Sequence, residues 1–365
     1  MTHRASFFAL SLIFLLGCPE PEVNGSEDLP DTLAWNLTEA GPFSIGYTRW
    51  DITYPGAGDG EDRTIPVHLW YPTEDESGTP ATYEFIFTDD FSWEDAAPAQ
   101  AVHEGGYPVL AYSHGSQGFG GATPYLHRHF ASHGWLVIAP DHIGNTLTTQ
   151  SSPLPLDFYL DRPSDLSAAL DSLAAGDAGL PSPAVTERVV AAGHSFGCHT
   201  MWGVGGASFD AAAIQERCDA GEYSEAECSN GVLSAFEEGL RDPRIVSSIP
   251  MAGGGSPSWF GQEGLLTATT PMLYMSGTDD PGAVDDVWDR TEGLEMTWMV
   301  VEGGCHQLFG LGACPEISDE LGFAIIRTYA LGFARQSILA DTSTETTNLL
   351  NGTTPFDDAV SVEVR

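Results

Sequence analysis

A series of short, unbroken apolar runs constrains this chain more than any other feature. Tyr107–Tyr112, Trp135–Ala139, Val189–Ala192, Ile245–Met251, Pro271–Ser276 and Thr297–Val301 are each too short for a stable helix and lack the alternation of a half-wet strand. Between them lie stretches of helical spacing: residues 122–134, Arg162–Leu173 with Leu166, Ala169, Leu170 and Leu173 on one face, and Ile317–Ile338. A parallel sheet reads this way, because its crossover helices cover both faces and its strands become apolar on both sides. Upstream, Phe43–Tyr54 and Thr64–Pro72 alternate and read as a flanking strand pair. The expected class is therefore α/β, with helices on both faces of a mostly parallel sheet. The stretch 207–243 breaks the alternation, is acidic and holds two cysteines, so it is expected as a small cap beside the strand ends.

Charge then narrows the partners. Among 365 residues, 52 are acidic and 13 basic, a formal net charge of −39; every basic residue is arginine. Nucleic-acid binding needs a basic patch to neutralise phosphates, and this chain has too few cations to build one. Docking on an anionic membrane through a polybasic stripe is equally disfavoured, and a lysine nucleophile or P-loop lysine is impossible. Disorder does not follow, because 42 % of residues are hydrophobic and 10 % aromatic.

The first eighteen residues, MTHRASFFALSLIFLLGC, place Arg4 before an apolar stretch from Phe7 to Leu16. That stretch is too short for a membrane-spanning helix but suits a signal-peptide core. Leu15-Leu16-Gly17-Cys18 resembles the lipobox of bacterial lipoproteins. The resemblance implies that residues 1–17 are a signal peptide, that Cys18 is lipidated, and that the mature chain is held at the cell envelope through that lipid. Residues 18–34, rich in Pro, Glu and Asp, read as a disordered tether. The folded domain is expected over 35–340, followed by a tail at 341–365, and the protein is expected to act as a monomer.

Export permits disulfides. Cys218 and Cys228, and Cys305 and Cys314, each sit close in sequence within turn-rich segments. Those two bridges are favoured among the possible pairings, leaving Cys198 as a buried free thiol. No C-x2-C pair suggests zinc, no EF-hand spacing suggests calcium, and no metal or other cofactor is expected.

The chemistry concentrates at Gly193-His-Ser195-Phe-Gly197, a G-x-S-x-G sequence directly after the Val189–Ala192 strand and before a small-residue helix. The glycines allow a turn too tight for a Cβ beside the serine. The helix N-terminus behind it offers N–H groups to an oxyanion. A serine nucleophile needs a base, and the base an orienting acid. Two histidines lie downstream, and His199 sits one turn along the helix, so it should point away. His306 follows a strand and is the expected base. After the Pro271–Ser276 strand, Asp279 and Asp280 both qualify as the acid, with Asp280, just before Pro281, favoured. The oxyanion hole is expected from the N–H groups of Phe196 and Ser116, the latter in the Ser113-His-Gly-Ser116 loop. His114 should brace that loop, and Asp141-His142 should serve hydrogen bonding at a strand end. Trp259, Phe260, Phe309 and Phe91 are candidates to line an acyl or aryl pocket, or else core.

In order, Trp70-Tyr71-Pro72, Ser113-His-Gly115, Pro140-Asp-His142, Arg162-Pro-Ser-Asp-Leu166, Gly193-His-Ser-Phe-Gly197 and Asp242-Pro-Arg-Ile245 resemble the dienelactone-hydrolase-like bacterial α/β-hydrolases. These are similar to the platelet-activating-factor acetylhydrolases. The resemblance spans residues 40–335. It implies an α/β-hydrolase fold with a sheet of about eight strands and cofactor-free hydrolysis of carboxylic esters, here on neutral short-chain, lipid or aryl esters. Two residues depart from the pattern. Dienelactone hydrolases carry a cysteine nucleophile where this chain has Ser195, and the usual third glycine of the elbow is Cys198 here. The alternatives are a catalytically dead scaffold serving as an acidic surface binding module, or an acyltransferase.

Overall fold

The computed structural model describes residues 1, 29–58, 62–280 and 284–365; Cys18 and the rest of the signal segment after Met1 lie outside them. The strands run, in chain order, β1 (Ser44–Pro55), β2 (Asp62–Thr73), β3 (Pro80–Tyr83), β4 (Phe87–Glu94), β5 (Tyr107–Ser113), β6 (Leu136–Pro140), β7 (Ala184–His194), β8 (Ile245–Met251), β9 (Met272–Gly277), β10 (Met296–Val301) and β11 (Val360–Val364). The helices are α1 (Pro124–Ser132), α2 (Phe158–Ala175), α3 (Phe196–Val204), α4 (Ala211–Asp219), α5 (Asn230–Glu238), α6 (Pro257–Phe260), α7 (Val284–Arg290), α8 (Asp319–Ile338) and α9 (Thr344–Leu350).

All the strands join one sheet in the order β11-β10-β9-β8-β7-β5-β6-β2-β1-β4-β3. From β6 through β5, β7, β8 and β9 to β10 the pairing is parallel, and β2 joins β6 antiparallel. The side-chain period of two divides each central strand between the two faces. Leu110, Tyr112, Val137 and Ala139 pack with Leu126 and Phe130 of α1 and with Ile325, Ile326 and Tyr329 of α8. Val109, Ala111, Leu136 and Ile138 pack with Leu166 and Leu170 of α2 and with Met201 and Val204 of α3.

Three expectations need correction. The sheet has eleven strands among the described residues, against the expected eight or so. The hairpin β3–β4 extends the β1 edge, but β3 has only four residues and β4 carries Asp89, Asp90 and Glu94, so no apolar run announces them. Residues 341–365 are not a tail: α9 buries Leu349 and Leu350, and β11 pairs antiparallel along β10 with Val360 buried. The folded part also begins before residue 35. Thr32 is buried with its hydroxyl 3.1 Å from His103 Nδ1, and Arg335 donates to the Trp35 carbonyl.

The segment 207–243 folds as α4 and α5, stapled by the Cys218–Cys228 disulfide. Phe209, Ile214, Val232 and Phe236 form an apolar cluster with Leu156, Trp202, Trp259 and Phe260. Both helices start with a side-chain cap, Asp210 accepting from Ala213 N and Ser229 from Val232 N.

Two predictions follow from this packing. Truncation after Ala340 removes the buried Leu349, Leu350 and Val360 and bares the β10 edge. At ~1.5–3 kcal/mol per buried aliphatic side chain, it should lower stability by ~5 kcal/mol in thermal or denaturant unfolding. The second concerns acid. Burial holds His103, His114, His127, His129 and His142 below their ordinary value, His133 and His199 down to about 4 and His194 to about 3. The unfolded chain therefore binds more protons than the folded one below about pH 6.5. Burial pushes Asp157, Asp161 (to about 7) and Asp165 up, which works in the opposite direction over the same range. The histidines outnumber them, so the free energy of unfolding should fall as pH drops from about 6.5 to 4, by about 1.4 kcal/mol per pH unit for each net proton taken up on unfolding, and Tm should fall with it. A Tm that is flat or rising over that range contradicts this balance.

Candidate active site

The site forms where the parallel strands end. Ser195 connects β7 to α3 with φ 55° and ψ −112°, a backbone conformation that costs a non-glycine residue ~1–3 kcal/mol. The turn is held by the Ser195 N–H donating to the Met251 carbonyl at 2.9 Å. A Cβ on Gly197 would lie 2.1 Å from the Ser113 carbonyl oxygen, so only glycine lets α3 start this close to β5. Cys198 replaces a small residue of the motif, and its buried Sγ reaches the Met251 carbonyl at 3.2 Å. Room for it comes from across the elbow, where a Cβ on Gly253 would stand 2.9 Å from that sulfur.

His306 lies just beyond β10, in a short 3-10 turn spanning His306–Phe309. Its Nε2 is 2.9 Å from Ser195 Oγ and its Nδ1 is 3.0 Å from Asp280 Oδ2. Between the two acid candidates, the geometry separates Asp280 from Asp279. Asp280 is only 5 % exposed at its side chain while His306 is 38 % exposed, so the acid is shielded and the imidazole opens to solvent. Asp279 points outward, where Thr278 Oγ1 donates to it, and only its backbone N–H turns in, to the Gly304 carbonyl. The Cys305–Cys314 disulfide ties down the loop on the near side of His306. His194 braces it from below: its Nε2–H donates to the His306 carbonyl at 3.0 Å, and its ring lies 4.9 Å from the His306 ring. Burial, reinforced by the neighbouring His306, pushes His194 down to about 3 and keeps it a neutral donor.

Across the nucleophile sits the loop after β5. Among the described residues, the N–H groups of Ser116 and Phe196 have no protein acceptor. Gln117 N donates to the Asn145 carbonyl and Asn145 Nδ2 donates to Ser116 Oγ, which sets the loop's course. His114 braces the loop as expected: its Nδ1–H donates to the Gly115 carbonyl, and its Nε2 accepts from the His142 N–H. Asp141 and His142 separate. Asp141 accepts from Gly120 N and pairs with His68, and although burial raises it, the His68 contact carries it well below the usual carboxylate range. His142 bridges Ser113 Oγ and Asp165 Oδ2. His199 points away from the nucleophile and donates to the Tyr159 carbonyl; burial drives it down to about 4.

Sequence reasoning missed the buried guanidinium behind this loop. Arg162, on α2, donates to the His114 carbonyl and to Asn145 Oδ1, and its guanidinium lies 4.5 Å over the Phe196 ring. It thus braces both arms that carry the Ser116 and Phe196 N–H groups. Burial lowers it to about 9. The signal was present: Arg162 lies four residues before Leu166 on the apolar face of a helix, where a cation must have an internal partner. Of the aromatic candidates, Trp259, Phe260 and Phe309 are buried in the core, while Phe91 is exposed on a different face under Arg128. The rings nearest the elbow are Phe158, Tyr159 and Phe196, with Trp259 stacked on Tyr159 at 3.5 Å. Among the described residues no cluster of His, Cys, Asp or Glu could hold a metal ion, and no helix is long and apolar enough to cross a membrane.

This sheet order, elbow and crossover pattern are those of the α/β-hydrolase fold. A ferulic acid esterase from Streptomyces cinnamoneus has a similar structure, with TM-score 0.60 and 18 % identity, over 88 % of this chain and 96 % of that one. No family model matches the sequence, and no curated protein matches it.

The buried thiol yields a direct prediction. Thiolate is the reactive form, and burial pushes the Cys198 thiol far up. Iodoacetamide followed by peptide mapping should leave Cys198 unmodified in the native protein and alkylate it in denaturant. Alkylation at equal rates in both states would mean the elbow opens readily.

Proposed function

We propose that this chain is a serine carboxylic-ester hydrolase acting through an acyl-enzyme, with Ser195 as nucleophile, His306 as base and then acid, and Asp280 as the orienting carboxylate. The observation that carries the proposal is the hydrogen-bond relay from Ser195 Oγ through His306 to Asp280, facing two unpaired backbone N–H groups. Neutral His306 accepts the serine proton at Nε2 while its Nδ1–H donates to Asp280. The Ser195 oxygen attacks the ester carbonyl, and the oxyanion forms against Phe196 N–H at the start of α3 and Ser116 N–H in the loop after β5. His306 then hands its proton to the leaving alkoxide. Water repeats the sequence at the acyl-enzyme and frees the acid.

The aromatic rings around the elbow and the fold shared with a ferulic acid esterase favour aryl or short-chain esters. The net charge of −39 favours neutral substrates over anionic ones, most visibly at low salt. The ordered motifs of the sequence support membership of the dienelactone-hydrolase-like group. Two disulfides fit an oxidising compartment. Together with the lipobox-like Leu15–Cys18 they support export and anchoring through lipid on Cys18, by an acidic tether.

Ser195→Ala should lower turnover of p-nitrophenyl acetate by about 10⁶ and abolish fluorophosphonate labelling. Asp280→Asn should cost about 10⁴ and Asp279→Asn less than about tenfold. Undiminished hydrolysis by the Ser195→Ala protein would sink the assignment, and a loss confined to Asp279→Asn would move the acid to that residue.

A further inference from the structure

A pocket of about 330 Å³ opens between α1, α8, the start of β1 and β4. Phe43, Ile45, Phe91 and Tyr125 provide its apolar wall, and Arg128 and Arg327 stand at its edge. None of the residues lining it belongs to the Ser195 site, and none is acidic.

The charges at this pocket are not balanced from within. Arg128 donates to Asp89 Oδ1 at 2.7 Å and lies 4.9 Å over the Phe91 ring, so one carboxylate already offsets it. His129 is held neutral by burial and spends its Nε2–H on the Leu37 carbonyl. Arg327 has no carboxylate and no hydrogen-bond acceptor among the described residues, although its Nε is buried. Among the described residues of a chain with 52 acidic side chains and 13 arginines, this half-buried guanidinium thus has no acid and sits beside a second guanidinium. An anion from outside would supply the charged partner that Arg327 lacks among the described residues. Phe91, 70 % exposed, offers an apolar ring at the same place.

We propose that this pocket binds a small organic monocarboxylate, with its carboxylate on Arg327 and the free side of Arg128 and its apolar or aromatic body against Phe43, Phe91 and Tyr125. The single uncompensated positive charge selects a monoanion, and the cavity is at the small end of ligand-binding sites, suiting one ring or a short acyl chain. Because the site is distinct from Ser195, this proposal stands or falls independently of the esterase reading. Tyr125 also reaches the other way, its hydroxyl donating to the carbonyl of Leu308 in the turn that carries His306.

The test is calorimetric or NMR titration of the mature protein with benzoate, and with benzamide as the neutral isostere. Benzoate should bind at least about tenfold more tightly than benzamide, and more weakly as salt rises. Arg327→Gln should weaken benzoate at least about tenfold. Phe91→Ala should also weaken benzoate while removing no charge and leaving the fold, read by circular dichroism, intact. Ser195→Ala should bind like the wild type. Equal binding of benzoate and benzamide, or wild-type affinity in both Arg327→Gln and Phe91→Ala, overturns the proposal. So does loss of binding in Ser195→Ala alone, which would put the carboxylate in the elbow site. Binding that appears only after residues 19–28 are removed would mean that the chain's own acidic segment fills the pocket, and would overturn it as well.

Discussion

The close approach of the β7–α3 turn to the neighbouring strand ends is the constraint on which the site depends. Gly197 allows α3 to begin against the Ser113 carbonyl, and the Ser195 N–H fastens the turn to Met251. With that turn in place, Ser195 is held in a strained conformation that projects its hydroxyl toward His306. The loops after β5, β9 and β10 need only converge on a fixed point. Neighbouring parallel strands make this straightforward, since all of them end on one edge of the sheet.

The arginines explain how so acidic a chain holds its loops. Many are spent inside on backbone carbonyls rather than on the surface. Arg162 caps His114, Arg335 caps Trp35, Arg290 caps Gly255 and Gly261, and Arg365 caps Trp288. A planar guanidinium with several donors can reach two acceptors at once in a fixed geometry, which an ammonium cannot. The absence of lysine is consistent with cations used as internal braces while the acidic residues carry the solvated surface.

The second layer behind the elbow follows the same logic. Arg63 holds Asp165, Asp165 accepts from His142, and His142 reaches Ser113 at the end of β5. This chain of buried polar groups stiffens the loop that carries Ser116. Its members are satisfied by one another, which is what allows them to be buried.

By itself, the sequence determined the class of sheet, the strand that ends in the serine, and the residue types and chain order of the relay. Those properties live in local patterns: apolar runs of strand length, the small residues a tight turn demands, and a histidine and acids that follow later strands. It favoured the pairings Cys218–Cys228 and Cys305–Cys314, because the partners lie close in sequence, and the tertiary structure bridges those pairs. Only the tertiary structure separated Asp280 from Asp279, since neighbouring residues share a loop and only backbone direction decides which carboxylate turns toward His306. It alone revealed β3, β4 and β11, which lack a continuous apolar run and pair at the edges of the sheet. The roles of Arg162 and His194 depend on contacts between residues far apart in the chain. Local pattern carries no record of such contacts.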